Sequence, residues 1–278
     1  MSRPLRIQFP GAVYHVTARG NAKQEIFISK DDRWLFLEVV ARAAKQYSIV
    51  IHAYCLMPNH YHLLIETPYG NLSEAMRHIN QLYTQCFNKR HDRVGHVFQG
   101  RFKAVLVEKD QHLLELSRYI VNNPIRAGLA AKAADYYWSS HKQTAGLIAP
   151  QPWLSVDWIR SQFGDDAKLA CHRYRMFVED YPAATNEVSP EHDLPIGGDI
   201  FIARLADYVW EKDEVKAISG RERMLGRPPI EALFQGVSDR ATRNQKIREA
   251  CIDFGYSQCE IAKFLGMHPN SISRFLKT

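Results

Sequence analysis

The order in which strand and helix patterns alternate over the first 130 residues constrains the fold most strongly. Ala12 to Arg19 alternates between two faces, which predicts a strand that ends at the Gly20-Asn21 turn. Asp31 begins a stretch of helical spacing that runs to about Tyr47. Ile49 to Met57 and His60 to Thr67 then predict two strands joined by the Pro58-Asn59 turn.

The second half of the strand and helix pattern follows. Asn71 or Ser73 is expected to cap a second helix that runs through Phe87 and ends in the basic patch Lys89-Arg90-His91. Phe102 to Val107 predicts a fourth strand. A third helix is predicted from Gln111 to about Asn122, where Pro124 stops it. The order β-α-β-β-α-β plus a helix indicates an α+β protein with a ferredoxin-like, split βαβ antiparallel sheet. We expect its helices on one face of the sheet and the other face open to a ligand.

The remainder of the chain has a different character. The sequence of residues 131–198 predicts an irregular, aromatic-rich and partly helical extension. Within it, residues 182–198 are rich in Pro, Gly and acidic residues and are predicted to form a linker. Residues 199–278 predict a helical region that ends, over about 242–278, in a helix-turn-helix. We therefore predict three parts, with boundaries at 1–130, 131–198 and 199–278.

Composition excludes several classes of protein. The net charge of +6 with a pI near 9.0 suits an anionic partner. Five cysteines without zinc-site spacing indicate reduced thiols rather than disulfides or a zinc site. There is no signal peptide and no apolar run long enough to cross a bilayer, so we expect a cytoplasmic protein without a membrane partner.

Two histidines on one strand are the first candidates for chemistry. In an extended strand His60 and His62 point to the same face, which makes half of a site for a divalent cation. Two nitrogens leave positions for phosphate oxygens and water, which suits Mg²⁺ or Mn²⁺ better than a closed zinc site. Glu66 on the same face either orients a histidine or merely ends the strand.

The third helix carries further candidates. Tyr119 lies beside the apolar stripe formed by Leu113, Leu116 and Ile120, and taken alone it is a rim tyrosine. The amide oxygen of Asn123, one turn further along the helix, would complete a metal site beside Tyr119. Because Asn123 precedes a proline, Asn122 is the alternative ligand.

Three motifs in the first 130 residues resemble those of the REP-associated tyrosine transposases, which belong to the HUH single-tyrosine transposases. They are residues 14–21 (YHVTARGN), 57–64 (MPNHYHLL) and 118–129 (RYIVNNPIRAGL), in the order of that family. The resemblance implies a ferredoxin-like fold and a bound Mg²⁺ or Mn²⁺. It also implies a tyrosine that cuts single-stranded DNA and stays joined to it as a 5′-phosphotyrosine.

The resemblance assigns roles by position. It makes Tyr119 the nucleophile and His60, His62 and Asn123 the metal ligands. It further implies palindromic, hairpin-forming repeats as substrate, a monomer, and a location in the cytoplasm at the nucleoid. The helix-turn-helix region is an addition that many members of the family lack.

DNA contacts are expected from basic side chains around the open face and from the last helix. The residues predicted to contact DNA are Arg3, Arg6, Arg19, Lys103, Arg126, Asn270, Ser271 and Arg274. Those in the last helix would bind duplex DNA, and those around the sheet would bind single-stranded and hairpin DNA.

Two other functions fit the same residues. One is a non-catalytic DNA-binding regulator derived from a transposase, in which the helix-turn-helix matters most. The other is a metal-dependent hydrolase that uses His60 and His62 with water.

Overall fold

The computed structural model describes residues 6–181, 195–210, 227–237 and 239–277. The strands are β1 (Ala12–Arg19), β2 (Val50–Met57), β3 (His60–Thr67) and β4 (Lys103–Val107). The helices are α1 (Lys30–Tyr47), α2 (Leu72–Arg90), α3 (Lys109–Arg126), α4 (His141–Thr144), α5 (Asp157–Ser161), α6 (Ala167–Glu179), α7 (Asp199–Trp210), α8 (Ile230–Leu233), α9 (Arg240–Ile252), α10 (Gln258–Leu265) and α11 (Pro269–Lys277).

The four strands form one antiparallel sheet in the order β2-β3-β1-β4. This is the topology of the predicted split βαβ fold, so the predicted α+β class is confirmed. The register sets His60 opposite Arg19 and His62 opposite Thr17. Thr17 in turn pairs with Lys103 on β4. Because directly paired residues point to the same face, all of these side chains lie on one face of the sheet.

Helices α1 and α2 cover the other face. Tyr61 and Leu63 of β3 are completely buried there, and the Tyr61 ring lies 4.7 Å from that of Phe36 on α1. The Tyr61 hydroxyl donates to Asn80 Oδ1 on α2 at 2.7 Å. The N-terminus of α1 is closed by a capping box between Ser29 and Asp32, as its sequence favours.

The histidine-bearing face is not open as predicted, because α3 packs on it. Leu113, Leu116 and Ile120 of α3 are fully buried in one cluster with Leu64 of β3 and Val107 of β4. The predicted apolar stripe of α3 is therefore correct, but its partner is the face expected to be bare. What stays accessible on this face is its end near Arg19 and Lys103, whose side chains are exposed.

Helix α3 also runs past the predicted stop at Asn122. Pro124 lacks the N–H that would bond the Ile120 carbonyl, and the side-chain Nδ2 of Asn123 donates to that carbonyl at 3.4 Å and to the Tyr119 carbonyl at 3.0 Å. The helix ends instead at Gly128, whose φ of 68° and backbone bonds to the preceding turn form a Schellman motif. The additional turn brings Arg126 into the helix.

The extension after α3 packs against it within the same compact unit, Gln8–Gly197. Asn122 is buried, and its Nδ2 donates to the Val178 carbonyl on α6 at 3.1 Å. The Arg118 guanidinium lies 4.2 Å from the centre of the Phe177 ring. Helix α6 therefore holds α3 against the sheet from outside. The predicted linker lies mostly outside the described residues, as 182–194.

Glu66 does bond a histidine, but the histidine is His52 rather than His60 or His62. His52 Nε2 lies 2.8 Å from Glu66 Oε2, and Lys109 Nζ, on the first residue of α3, lies 2.7 Å from the same oxygen. These hydrogen bonds lower the pKa of Glu66 to about 2. Glu66 thus ties the start of α3 to the sheet.

We expect Glu66→Gln to lower the free energy of unfolding by about 1–2 kcal/mol at pH 7 and much less at pH 3. The pKa of Glu66 is depressed in the folded state, so its stabilisation is present above the unfolded pKa near 4.3 and is lost as the pH falls toward 2. Urea denaturation of both proteins at the two pH values measures this. Glu38→Gln is the control, since the ion pair between Glu38 and Arg42 is exposed and 3.9 Å long. If Glu66→Gln lowered the free energy of unfolding equally at both pH values, the assignment would be contradicted.

The second compact unit comprises residues 1–7 and 198–278. Helices α9, α10 and α11 share a small core in which Ile247, Ile261 and Ile272 are fully buried. Ser257 and Glu260 form a capping box at the start of α10, and Gly266 ends it with a φ of 64°. These three helices cover the stretch, about 242–278, for which the sequence predicts a helix-turn-helix.

In the part of the chain that the structure describes, no helix has the length and apolar character needed to cross a membrane.

Candidate active site

The site is built on the paired ends of β1 and β3. His60 and His62 lie on the same face with ring centres 5.0 Å apart, as the strand periodicity predicts. His60 is partly exposed, whereas His62 is 7% exposed. The Asn59 side chain, in the hairpin turn, has its Oδ1 2.7 Å from His60 Nδ1. This contact fixes the His60 ring with Nε2 pointing away from the turn.

A third histidine, His15 on β1, completes the cluster and was not singled out from the sequence. Its ring is parallel to that of His62 with centres 5.1 Å apart, and its Nε2 lies 2.9 Å from His62 Nδ1, so the two rings lie edge to edge and share a hydrogen bond. His15 is 2% exposed. The alternation of β1 put His15 on the face of Thr17 and Arg19, but the register between β1 and β3 is needed to bring it to His62.

All three imidazoles are neutral at physiological pH. Burial lowers the pKa of His15 to about 3. Burial, helped by the Arg19 charge, lowers the pKa of His60 to about 4. Burial also holds the pKa of His62 well below its ordinary value, and His15, His60 and Arg126 add to the effect. Neutral imidazoles have the lone pair that a metal ion requires.

The donor set fits a divalent cation. His62 Nε2 is buried and has no hydrogen-bond partner among the described residues, although buried polar atoms are nearly always paired. Its other nitrogen contacts His15, as the outer nitrogen of a metal-binding histidine usually contacts an acceptor. Within the described residues, no group of three or more His, Cys, Asp or Glu forms a metal site. A cation here would therefore need oxygen ligands besides the two histidines.

Tyr119 of α3 lies directly over the histidine pair. The centre of its ring is 6.3 Å from those of His15 and of His62, edge to face with both. Tyr119 is 6% exposed, so it is not a solvent-facing rim tyrosine. The packing of α3 on the histidine face is what brings the phenol and the imidazoles together.

Arg126 covers the other side of the tyrosine. Its guanidinium carbon lies 4.8 Å from the centre of the Tyr119 ring, a cation–π contact made two turns further along α3. Arg126 is exposed and contributes to the low pKa of His62. It also lines a cavity of about 500 Å³ at the C-terminal end of α3. A positive charge thus lies next to both the phenol and the histidines.

The two asparagines of α3 have different roles. The Asn122 side chain is bonded to Val178 on α6 and is committed to packing. Asn123 uses its Nδ2 on the carbonyls of its own helix, which leaves the oxygen as the end of the amide able to bind a cation. Asn122 is the more deeply buried of the two, and Asn123 remains the predicted amide ligand.

The structure places the predicted DNA contacts in three groups. Arg19, Lys103 and Arg126 are exposed, the first two on the strand ends beside His60 and the third above Tyr119. Arg6 belongs to the second compact unit, and Ser271 lies on α11. Arg3 lies outside the described residues, as do the side chains of Asn270 and Arg274, although α11 includes the backbone of both.

Comparison with known proteins identifies the family that this part of the chain resembles. Residues 9–123 match the family described as "Transposase IS200 like". This stretch is therefore similar to the IS200-like transposases. It contains β1, the hairpin of His60 and His62, and α3 as far as Asn123. The predicted resemblance to REP-associated tyrosine transposases is confirmed.

Two related proteins carry that name. A Haemophilus influenzae protein assigned to the REP-associated tyrosine transposases is 28% identical over 130 residues, which cover 42% of this chain and 74% of that protein. A solved structure of a REP-associated tyrosine transposase bound to a REP hairpin is similar with a TM-score of 0.46 and 17% identity. It covers 60% of this chain and 93% of the other.

Proposed function

We propose that the transposase-like domain, residues 9–123, cuts and rejoins single-stranded DNA at hairpin-forming palindromic repeats through a covalent bond to Tyr119. The observation that carries this proposal is the Tyr119 phenol edge-on to the His15–His62 pair, within a stretch similar to the IS200-like transposases. The resemblance of this domain to the REP-associated tyrosine transposases supports hairpin-forming repeats as the substrate.

His60, His62 and the amide oxygen of Asn123 would hold Mg²⁺ or Mn²⁺. The unpaired Nε2 of His62 and the neutral imidazoles support this assignment. When bound, such an ion draws electron density from the phosphate and offsets the charge that builds up on it. Two histidines and an amide leave room for phosphate oxygens and water among its ligands.

The residues of this chain supply the nucleophile and its surroundings. The Oη–phosphorus bond forms as the bond from phosphorus to the 3′ oxygen breaks, which leaves a 5′-phosphotyrosine and a free 3′ end. The phenolic proton leaves Oη and the departing 3′ oxygen takes up a proton, so the step balances without ATP. A 3′-hydroxyl of a second strand reverses the reaction and joins DNA.

A cation near Tyr119 assists this step. The Arg126 guanidinium lies 4.8 Å from the Tyr119 ring and is exposed, so it is placed to bind the phosphate that Tyr119 attacks. Arg19 and Lys103 lie on the same face of the sheet and are suited to the neighbouring phosphates. We further propose that Arg3 and Arg6 contact DNA. We also propose that the protein acts as a monomer in the cytoplasm at the nucleoid.

The C-terminal helices suggest a second contact with DNA. Helices α10 and α11 are joined by a tight turn at Gly266 and pack on α9, as in a helix-turn-helix. In that arrangement α11, with Asn270, Ser271 and Arg274, would enter the major groove of duplex DNA. If the transposase-like domain proves inactive, this unit supports the alternative of a DNA-binding regulator.

The test is peptide mapping of the product formed with a labelled single-stranded hairpin oligonucleotide and Mn²⁺. We expect one peptide, containing Tyr119, to carry a nucleotide remnant. Binding without any adduct under Mg²⁺ or Mn²⁺ would favour the regulator, and cleavage without an adduct would favour a hydrolase.

His15 has a role that metal binding can test. For His62 Nε2 to have a free lone pair, the Nδ1–H of His62 must donate to His15 Nε2, so His15 sets the tautomer of the ligand. We expect His15→Phe, which keeps a buried ring, to weaken Mn²⁺ binding about 10–100-fold by calorimetry. His141→Phe is the matched control, because His141 is equally buried against Tyr174. Equal affinity in both variants would rule out this role.

A further inference from the structure

A groove lined by aromatic rings lies outside the site described above. It has a volume of about 220 Å³ and runs between α1 and the extension that follows α3. We call it the aromatic groove, and the rings that define it are those of Trp34, Tyr137, Trp138 and Trp153.

Two of these rings are unusually exposed. Trp34 is 42% exposed and Tyr137 47% exposed, although large aromatic side chains are usually well buried. Trp34 lines the groove together with Leu37, one turn further along α1. Contiguous exposed rings of this kind mark a binding surface.

The rings pack edge to face, and cationic side chains lie close to two of them. Trp34 meets Tyr137 and Trp138 in T-shaped contacts with centres 6.0 and 5.4 Å apart. Arg33 lies 5.5 Å from the Trp138 ring centre, and Lys142 Nζ lies 5.7 Å from that of Tyr137. The carboxylate of Glu38 also lines the groove, but it is paired with Arg42. Two cations therefore lie against the rings, next to the groove rather than in its lining.

The groove lies beside the outer edge of β2 on the α1 side of the sheet, whereas the histidines lie on the other face, so a strand bound in both places would pass around this edge. The Leu56 N–H donates to the Trp138 carbonyl at 2.8 Å, so the 136–138 segment runs alongside the outer edge of β2. Leu56 and Met57 pair with Tyr61 and His60 of β3. The groove segment thus lies two strand spacings, roughly 10 Å, from the strand end that carries His60.

We propose that the aromatic groove binds unpaired nucleotides of the strand that passes through the active site. Rings that stack on bases, together with cations that meet phosphates, are the features that bind single-stranded DNA without regard to sequence. The net charge of +6 favours the same partner over an acidic or neutral peptide. This inference rests on the proposed function for its substrate, single-stranded DNA. The binding surface that it assigns takes no part in the proposed cleavage at Tyr119.

The test is the affinity for a fluorescein-labelled twelve-nucleotide oligothymidylate, measured by anisotropy in EDTA so that no cleavage occurs. We expect Trp34→Ala and Tyr137→Ala each to weaken binding by between about fivefold and a hundredfold. Tyr137→Phe, which keeps the ring, should bind like the wild type. Tyr69→Ala is the matched control, since Tyr69 is 72% exposed and follows the opposite end of β3; it should cause no loss.

A second measurement guards against misfolded variants. An oligothymidylate containing 5-bromouracil is cross-linked by light to the wild-type protein, and the adducts are mapped; we expect cross-links at Trp34, Tyr137 or Trp138. Cross-links confined to other sites, or full affinity in Trp34→Ala and Tyr137→Ala, would overturn the inference.

The two proposals fail in different ways. Absence of a Tyr119 adduct removes the proposed chemistry but leaves the oligothymidylate result intact. Conversely, Trp34→Ala should still form the adduct with a hairpin that has only the nucleotides needed for cleavage.

Discussion

Tyr119→Phe is expected to abolish the covalent protein–DNA adduct completely and to leave the affinity for hairpin DNA unchanged. The substitution removes only the oxygen that would attack the phosphorus. Phenylalanine retains the edge-on contacts with His15 and His62 and the contact with the Arg126 guanidinium, so the site keeps its packing. The loss should therefore appear in chemistry and not in binding.

Denaturing gel electrophoresis with labelled hairpin DNA and Mn²⁺ measures the adduct, and anisotropy in EDTA measures binding. The control is Tyr136→Phe, which removes a phenolic hydroxyl that donates to the Leu56 carbonyl at 2.7 Å. That variant should keep the adduct. If Tyr119→Phe still cuts the DNA, water is the nucleophile and the hydrolase reading takes the place of the transposase chemistry.

The secondary structure of residues 9–123 could largely be predicted from the sequence. Strand alternation is an exact period of two, so β1 and the β2–β3 hairpin were placed correctly, and His60 and His62 were correctly assigned to one face. Helices α1 and α2 have clear start signals and apolar stripes. Local pattern was sufficient wherever the relevant neighbours are close in sequence.

Features set by distant contacts were not readable. His15 reaches His62 only through the β1–β3 register, which no local signal fixes. The predicted end of α3 at Pro124 failed because the Asn123 side chain supplies a donor that replaces the missing N–H. The predicted open face failed because the buried stripe of α3 needed an apolar partner, and the histidine face supplied Leu64 for it.

These corrections strengthen the active-site proposal rather than weaken it. An open face would have left the histidines in water with ordinary pKa values and Tyr119 at a distance. The packing of α3 buries His62, keeps it neutral and brings the phenol to within 6.3 Å of its ring, measured between centres. The longer helix also adds Arg126 above the phenol.

His62→Ala is expected to reduce Mn²⁺-dependent cleavage by at least about a thousandfold, because both the cation and the charge stabilisation it brings to the phosphate are lost. Since His62 is 7% exposed, the variant also loses packing, and its folding must be verified by circular dichroism. His60→Ala removes the more exposed ligand and should cause a loss of the same order with less effect on stability.

His52→Ala separates loss of a ligand from loss of a buried imidazole. His52 lies on the same sheet and is 2% exposed, but it contacts Glu66 instead of the site. It should therefore lower stability while folded protein still cuts DNA at close to the wild-type rate. If His52→Ala and His60→Ala lose cleavage equally, the histidines act through the stability of the sheet. If cleavage and Mn²⁺ binding are lost only in His60→Ala and His62→Ala, the histidine pair on β3 holds the metal.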